Sequence, residues 1–521
     1  MLRITNIKLA PDIPESNLEC IIKHKLGIKK IKMLRIAKKS IDARRKNDVH
    51  YVYAVDIETD NEKKYIGKNV SFYEDTKYKF PQGNIPGKPV VIVGMGPAGM
   101  MCALTLAKNG VKVIVCERGK SVDERRKDVN EFWNSGKLNP NSNVQFGEGG
   151  AGTFSDGKLT TGVNDYRIKY ILEEFHNHGA PEEILYQAKP HIGTDKLCEM
   201  AKSIRKDIEK NGGEVRFETT LTDILIENGK VTGAEITSDN GTEIIKTDNI
   251  VLAIGHSARD TFEMIRNKGL KMERKPFSVG ARIEHSQEMI NKSQYGEFYK
   301  KFNAADYKLS THLPGGRSVY TFCMCPGGYV VASASEEEGI VTNGMSCFKR
   351  DGENANSAVL VNVTPDDFEG DDVLAGMYFQ REIEHRAYLA AEKTYKAPAQ
   401  RVGDFLNEEC GKDVLVTPTY RPGVTWTSLD KLLPDFVVEA MREGIKIFDK
   451  KLHGFANANA VLTGPETRSS SPVRIVRDTG TMMADTVGLY PCGEGAGYAG
   501  GITSAAVDGV KAAEKIVQNT I

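Results

Sequence analysis

The chain has no long hydrophobic run and no excess of charge of either sign. No apolar segment approaches the roughly 20 residues that a membrane-spanning helix needs, and the first residues, MLRITNIKLA, lack the apolar core of a signal peptide. Lysine plus arginine and aspartate plus glutamate both number 70, so we expect no membrane partner and no nucleic acid. The nine cysteines are scattered and odd in number, which favours a reducing cytoplasm over a disulfide framework.

Internal repeats are also missing, yet 521 residues are too many for one hydrophobic core. Residues 1–80 follow strand, helix, strand and strand patterns, which predict a small α+β domain of ferredoxin-like type. Lysines and arginines concentrate between residues 23 and 46. We interpret them as a solvated strand face rather than an RNA-binding patch, because no aromatic side chains interleave with them for base stacking.

Residues 90–99, VVIVGMGPAG, form an apolar strand followed by a G-x-G-x-x-G turn and a helix start. In such a turn the first glycine allows the tight bend, the second lets the backbone approach a pyrophosphate, and the third lets helix and strand pack closely. A second predicted strand, residues 111–116, is followed by Glu117. This position is close to the ~20-residue offset, counted from the glycine turn, of the acid that binds a ribose hydroxyl. We therefore predict a dinucleotide site with the contact residues Gly94, Gly96, Pro97, Ala98, Gly99, Glu117 and Arg118.

Residues 487–518 combine a short strand, a glycine-rich turn and a helix with many small residues. This stretch resembles the C-terminal flavin motif of the glutathione-reductase-type FAD superfamily, in which a strand ends in Gly-Asp and the acid binds the ribitol. The resemblance implies these contacts for Gly493 and Glu494, although glutamate is one methylene longer than the usual aspartate. We further predict that the helix start at Gly500, Gly501 and Ile502 stabilises negative charge on the reduced flavin.

Two further segments resemble motifs of the same superfamily. Residues 247–255, TDNIVLAIG, resemble its central strand motif and place Ala253 and Gly255 at the cofactor. Residues 214–225 resemble the strand whose backbone meets the adenine, and place Leu221 near that ring. Because four motifs follow one another in the order of the superfamily, the resemblance implies that the dinucleotide is FAD.

The predicted fold class is α/β, with a Rossmann-type FAD-binding domain that is discontinuous in sequence. We assign residues 88–262 and 455–521 to this domain, residues 263–454 to an inserted α+β substrate or cap domain, and residues 1–80 to the N-terminal α+β domain. In the superfamily such an insertion forms a sheet over the flavin ring and shapes the substrate pocket.

The loop of residues 144–159, VQFGEGGAGTFSDGKL, is rich in glycine, so its backbone can approach a flat or anionic group closely. Loops in this place in similar flavoproteins run along the ribityl chain, which implies FAD contacts for Gly149, Gly150 and Ala151. Two interpretations of Lys158 stay open: a group near the flavin or an anionic substrate, and an ordinary surface lysine.

Cys323 and Cys325 lie two residues apart at the end of a predicted strand, so both thiols are expected on one face of it. They are either a redox-active dithiol, or a thiolate that adds to the flavin, or two small buried hydrophobic residues; we favour the last. Zinc does not fit the C-x-C spacing, and we expect no metal site.

The stretch of residues 464–477, GPETRSSSPVRIVR, contains Arg468 as a further candidate for the catalytic site. This arginine either clamps a carboxylate or phosphate of the substrate, or pairs with Glu466 or Asp478 to hold the loop; both interpretations stay open. Arg282 and His285 are interpreted as structural rather than as pocket residues.

Together with residues 1–80, these motifs resemble the bacterial FAD-dependent dehydrogenases usually labelled NAD(FAD)-utilising dehydrogenases, over essentially the whole chain. The resemblance implies an oxidoreductase without naming its substrate. Because no second strand-G-x-G-x-x-G-helix unit is present, we expect hydride exchange between flavin N5 and an unidentified small molecule, with NAD(P)H as a transient donor. The alternatives are a flavin monooxygenase, and a flavin-binding or RNA-associated protein that acts through residues 1–80.

Overall fold

The computed structural model describes residues 1–407 and 416–520. Residues 408–415, which fall within the predicted inserted domain, and Ile521 lie outside the described residues. Across the two described ranges, no helix is long and apolar enough to cross a membrane. The fold class is the predicted one, an α/β protein built around a parallel sheet, to which a large mixed sheet and a small N-terminal sheet are joined.

The N-terminal part forms these elements: β1 (Leu2–Leu9), α1 (Leu18–Leu26), β2 (Ile31–Asp42), β3 (His50–Thr59) and β4 (Val70–Phe72). Its sheet has the order β2-β3-β1-β4, and a 3₁₀ turn at Glu62–Tyr65 stands where a ferredoxin-like domain has its second helix. Asn6, with a φ of 58°, forms a bulge in β1. The bulge keeps both Ile4 and Ile7 on the buried face, although their spacing does not match strict alternation.

The next part of the chain contributes these elements: β5 (Val90–Val93), α2 (Pro97–Lys108), β6 (Val113–Cys116), α3 (Val122–Ser135), α4 (Arg167–Asn177), α5 (Thr194–Lys210), β7 (Glu214–Arg216), β8 (Thr220–Glu227), β9 (Lys230–Ser238), β10 (Gly241–Lys246), β11 (Ile250–Leu252) and α6 (Arg259–Asn267).

The insertion contributes β12 (Met272–Arg274), β13 (Phe277–Ser286), α7 (Gln287–Tyr295), β14 (Ser310–His312), β15 (Ser318–Cys325), β16 (Tyr329–Ala332), β17 (Thr342–Met345), β18 (Asn354–Val363), α8 (Ala375–Ala390), β19 (Ala397–Arg401), α9 (Val402–Leu406), β20 (Val424–Trp426) and α10 (Asp435–Lys451). The remaining elements are β21 (Val461–Glu466), β22 (Val473–Ile475), β23 (Leu489–Pro491) and α11 (Ile502–Asn519).

The parallel sheet has the order β23-β11-β5-β6-β7. Its central strands are continuous apolar runs, VVIV in β5 and VIVC in β6, and every residue of both is buried. Such runs suit parallel strands that are covered on both faces. Helices α2, α5 and α11 pack on one face, and the three-stranded sheet β10-β9-β8 packs with α6 on the other. On one side α2 and α11 pack together so closely that a Cβ on Gly509 would lie 2.1 Å from the Ala98 carbonyl oxygen.

The large sheet has the order β14-β15-β18-β13-β21-β19-β20. Strand β21 comes from the segment that we assigned to the FAD-binding domain, yet it pairs with β13 and β19 of the insertion. The chain therefore returns to the parallel sheet later than the predicted boundary at residue 455. The reason is that β13, fully buried except at its last residue, needs a partner strand on each side.

Candidate functional site

A cavity of about 630 Å³ lies where the parallel sheet meets the large sheet. Part of its wall consists of residues that directly follow β5, β6, β11 and β23, at the carboxyl ends of the strands. The opposite wall includes β15 and the loop that carries Lys158. Open α/β sheets bind ligands at this end of their strands. We call the region around Gly94 and Glu117 the nucleotide half, and the region around Lys158 and Cys323 the substrate half.

The glycine turn after β5 is shaped by close backbone contacts. Gly94 has a φ of 97°, and a Cβ there would lie 2.4 Å from the Ala253 carbonyl oxygen. A Cβ on Gly99 would lie 1.9 Å from the Gly94 carbonyl oxygen, so glycine is needed for α2 to pack against β5. Gly99 therefore serves the close packing of helix and strand that the motif assigns to its third glycine, and it does not line the cavity. The predicted residues of this turn that line the cavity are Gly94, Gly96, Pro97 and Ala98.

Glu117 directly follows β6 and lines the cavity, although it is only 5% exposed. Its carboxylate accepts hydrogen bonds from the backbone N–H groups of Met95 (2.8 Å), Gly119 (2.9 Å) and Gly147 (2.9 Å). The last two bonds go to Oε1 and the first to Oε2, and each carboxylate oxygen has two lone pairs. Glu117 therefore ties three segments together and keeps one acceptor position on Oε2 for a ligand hydroxyl.

The loop of residues 144–159 depends on Arg125, a residue that the sequence analysis did not identify. Arg125 is fully buried, and burial lowers its pKa to about 10. Its guanidinium donates to the backbone carbonyl oxygens of Asn143 (2.8 Å), Val144 (2.9 Å), Glu148 (2.8 Å) and Gly150 (3.0 Å). Nothing in the sequence indicates this role. Arg125 lies in α3, whose many charged residues predict a helix exposed to solvent.

Of the three residues of this loop that we predict to contact FAD, Gly150 and Ala151 line the cavity, whereas Gly149 does not. A Cβ on Gly150 would lie 2.8 Å from the Cα of Gly96, so the two glycine-rich turns touch. A Cβ on Gly149 would instead lie 2.0 Å from the hydroxyl oxygen of Thr153, inside its own loop. The positive φ of 85° at Gly149 serves the turn and not a ligand contact.

The remaining predicted residues of the nucleotide half also reach the cavity: Arg118, Leu221, Ala253 and Gly255. Arg118 donates to Asp260 (2.8 Å), and its guanidinium lies 4.4 Å from the centre of the Phe146 ring. It is therefore a fixed part of the wall.

The turn after β23 places its two predicted residues differently. The backbone N–H of Gly493 donates to Asp508 (2.7 Å), and a Cβ there would lie 2.8 Å from that of Ala98, so Gly493 packs between helices instead of lining the cavity. Glu494 does line it. Burial raises the pKa of Glu494 to about 7, and within the described part of the chain no group donates a hydrogen bond to its carboxylate.

Helix α11 begins at the cavity. Gly500, Gly501 and Ile502 line it, and a Cβ on either glycine would meet nothing within 4 Å. The first N–H groups of a helix have no partner within the helix, and they form its positive dipole end. This helix start therefore presents donors and partial positive charge to the cavity.

Lys158 and Arg350 form the basic wall of the substrate half. Both bind the buried Asp156: Arg350 through two hydrogen bonds of 2.9 and 2.6 Å, and Lys158 through one. Although burial opposes it, these two cations keep the pKa of Asp156 below its ordinary value. Burial lowers the pKa of the neighbouring His191 to about 4. Two cations thus face one carboxylate and a neutral imidazole, which leaves net positive charge at the cavity wall.

Arg468 lines the cavity but is bound within a buried ion-pair network. Its guanidinium donates to Glu384 through two hydrogen bonds of 3.0 and 2.7 Å, and Arg259 binds the same carboxylate through two of 2.9 Å. Burial alone would raise the pKa of Glu384, but the two arginines lower it to about 2. The partner is therefore neither Glu466 nor Asp478 but Glu384, which is distant in sequence.

Cys323 lines the cavity, whereas Cys325 is buried beneath it. The expectation of two thiols on one open face is corrected, because β15 has a bulge between Phe322 and Cys325. Arg282 is fully buried, binds Glu466 through two hydrogen bonds of 2.7 Å, and donates to the Cys323 carbonyl oxygen (3.0 Å).

His285 is also buried and hydrogen-bonds the backbone carbonyl of Phe455 (2.8 Å). It does not line the cavity.

The groups of the nucleotide half fit a bound flavin dinucleotide. Gly96 and Gly150 let two turns meet at the cavity wall, and Glu117 retains a free acceptor position. Glu494 is a carboxyl in the cavity wall to which no group of residues 1–407 or 416–520 donates a hydrogen bond, so its oxygens are available to a ligand. The fold and the cavity thus define an FAD-dependent protein of the flavoprotein oxidoreductase superfamily.

Comparison with known proteins agrees with this class. The family described as "FAD binding domain" matches residues 89–138, and "FAD-dependent protein, C-terminal domain-like" matches residues 276–469. A domain of unknown function matches residues 1–58. An uncharacterized protein of Clostridium beijerinckii is 48% identical over 530 residues, which cover 99% of this chain and 98% of that one. The chain belongs to the same family as this Clostridium protein.

Solved structures also resemble the chain, at low sequence identity. A geranylgeranyl bacteriochlorophyll reductase-like protein from Thermoplasma acidophilum is 13% identical, over 83% of this chain and 79% of that one, with a TM-score of 0.36. The glycerol-3-phosphate dehydrogenase from Bacillus halodurans, complexed with FAD, is 12% identical, over 82% of this chain and 64% of that one, with a TM-score of 0.33.

Proposed function

We propose that this protein is an FAD-dependent dehydrogenase or reductase of a small molecule that binds in the substrate half of the cavity. The observation that supports it is that one cavity joins the glycine turn at Gly94 to the polar groups Lys158, Arg350 and Cys323. Bound FAD would supply hydride chemistry, while the protein supplies binding, orientation and electrostatics.

In this proposal the nucleotide half holds the cofactor through backbone groups and two carboxyls. The N-terminus of α2, behind Gly96, binds the pyrophosphate with unpaired N–H groups. Glu117 accepts a ribose hydroxyl at its free Oε2 position, and Leu221 lies against the adenine. Glu494 receives the ribitol hydroxyls, which give its carboxyl the donors that the protein does not provide.

The N-terminus of α11 has an electrostatic role in the same proposal. The backbone N–H groups that follow Gly501 and the positive end of the helix dipole lie at the cavity, where they stabilise negative charge. This arrangement favours the reduced state of a flavin bound there.

The substrate half favours an anionic substrate. Lys158 and Arg350 together carry one more positive charge than Asp156 neutralises, and both line the cavity. An arginine fixed by a carboxylate loses little conformational freedom when it binds a second anion. The substrate that we propose therefore carries a carboxylate or a phosphate.

The test is anaerobic reduction of the flavin in the purified protein by NADH and by NADPH, followed by a screen for metabolites that reoxidise it. We expect flavin absorbance in the protein, reduction by at least one nucleotide, and fastest reoxidation by anionic compounds. Purified protein that shows no flavin absorbance after FAD is added would overturn the proposal. Reoxidation by neutral compounds alone would overturn the anionic substrate.

A further inference from the structure

Strand β15 departs from regular geometry at Cys323. Phe322 pairs with Ala358 and Cys325 with Asn356, so β15 has one residue more than β18 over this interval. Cys323 has a φ of 44°, a conformation that residues other than glycine rarely adopt. Bulges and left-handed residues concentrate next to functional sites, where they redirect a side chain. Here the bulge brings the Cys323 side chain to the cavity wall.

The two cysteines contact each other despite the bulge. The Sγ of Cys325 lies 3.2 Å from the Cys323 carbonyl oxygen, to which the buried Arg282 also donates. The adjacent Cys325 thiol and the charges of Arg282 and Lys158 lower the pKa of the Cys323 thiol, although burial opposes this. Burial raises the pKa of Cys325. The pair thus combines a cavity-facing group that ionises readily with a protonated group behind it.

Other buried cysteines lack this arrangement. Cys102 and Cys492 are fully buried, and burial raises the pKa of each thiol. Neither has a strained backbone or a neighbouring cysteine two residues away. Packing therefore explains these two residues, whereas it does not explain the geometry of Cys323.

We propose that Cys323 and Cys325 are a redox-active dithiol that exchanges with the disulfides of small thiol compounds entering the cavity. The Cys323 thiolate attacks one sulfur of the external disulfide, which forms a mixed disulfide and releases a thiolate. The Cys325 sulfur then attacks the Cys323 sulfur, forms the internal disulfide and releases the second thiol, while the Cys325 proton goes to the released thiolate. The dithiol loses two electrons, and one external disulfide becomes two thiols.

This exchange does not depend on the proposed reaction of the flavin. Every bond that forms or breaks belongs to the two cysteines or to the external disulfide. A failure of either proposal therefore leaves the other unaffected.

The experiment equilibrates the full-length, flavin-containing protein with mixtures of oxidised and reduced glutathione. Free thiols are then blocked with a maleimide, and peptide mapping by mass spectrometry locates the disulfides. We expect a Cys323–Cys325 disulfide that accumulates in one two-electron transition. Cys347, half-buried and outside the cavity, provides the matched control, because Cys347→Ser should leave this transition unchanged.

Two single variants test the order of attack. Cys325→Ser should trap a mixed disulfide of glutathione at Cys323, whereas Cys323→Ser should give no adduct at Cys325. In the unmodified protein, maleimide should also react with Cys323 at lower pH than with Cys347. The proposal is overturned if no internal disulfide forms at any glutathione ratio, or if Cys347 reacts as readily as Cys323.

Discussion

The two halves of the cavity are built by different means. The nucleotide half consists of backbone turns whose glycines touch one another, such as Gly96 and Gly150. The substrate half consists of charged side chains that are already bound to distant partners, such as Arg468 to Glu384. A glycine acts through its own backbone conformation, so its role can be inferred from the local sequence. The role of a buried arginine depends on its ion-pair partner, which only the fold identifies.

The largest effect is expected from Glu384→Gln in the substrate half. The change keeps the shape but leaves the buried Arg259 and Arg468 with Glu336 as their remaining carboxylate partner, so the free energy of unfolding should fall by about 3 kcal/mol. Urea unfolding measures it. Glu382→Gln is the matched control on the same helix: its exposed pair with Arg386 is worth under about 0.5 kcal/mol. Equal unfolding midpoints for Glu384→Gln and Glu382→Gln would show that the ion pairs of Glu384 with Arg259 and Arg468 do not stabilise the fold.

The next effect is expected from Gly99→Ala in the nucleotide half. The new Cβ would lie 1.9 Å from the Gly94 carbonyl oxygen, so the turn must shift. We expect the free energy of unfolding to fall by about 1–3 kcal/mol. We also expect the affinity for FAD, measured by equilibrium titration, to fall at least about tenfold. Gly67→Ala is the control, because a Cβ there meets nothing within 4 Å and its φ is not positive. Unchanged FAD binding in Gly99→Ala would contradict the view that close backbone contacts between glycines shape the nucleotide half.

Glu494 stands between the two halves and gives a pH-dependent prediction. Burial raises its pKa to about 7, so the folded protein binds a proton that the unfolded chain has released. The contribution of Glu494 to stability is therefore greatest below the unfolded pKa of 4.5, falls as the pH rises from there to about 7, and is constant above that. Glu494→Gln should remove this part of the pH dependence in urea unfolding of the FAD-free protein. If the stability of Glu494→Gln depends on pH as that of the unmodified protein does, the pKa of Glu494 is not raised in the folded protein.

The smallest effect is expected from Ser504→Asp in the first turn of α11. Ser504 does not line the cavity, so the change adds a negative charge near the bound flavin without blocking the site. A charge near a helix N-terminus is worth about 0.3–1 kcal/mol, which corresponds to a flavin reduction potential lower by about 10–20 mV. A spectroscopic redox titration measures it, with Ser504→Asn as the uncharged control. A potential that is unchanged in Ser504→Asp would contradict the proposed orientation of the flavin.

Much of the nucleotide half could be predicted because its signals are local. The strand before the glycine turn, Val90–Val93, and the turn at Gly94–Gly99 occur where the pattern places them. Arg125 could not be predicted, because its partners are backbone carbonyls of a loop whose path the sequence does not specify. The bulge at Cys323 could not be predicted either, because it depends on the register with β18.

By itself, the sequence determined the α/β class and the position of the glycine turns, because apolar periodicity and glycine spacing act over a few residues. Only the tertiary structure decided which charged groups remain available. It paired Arg468 with Glu384, placed Gly99 and Gly493 behind the wall, and brought Cys323 but not Cys325 to the cavity. Burial makes an unpaired charge so costly that distant segments must supply its partner, and their meeting is a property of the fold.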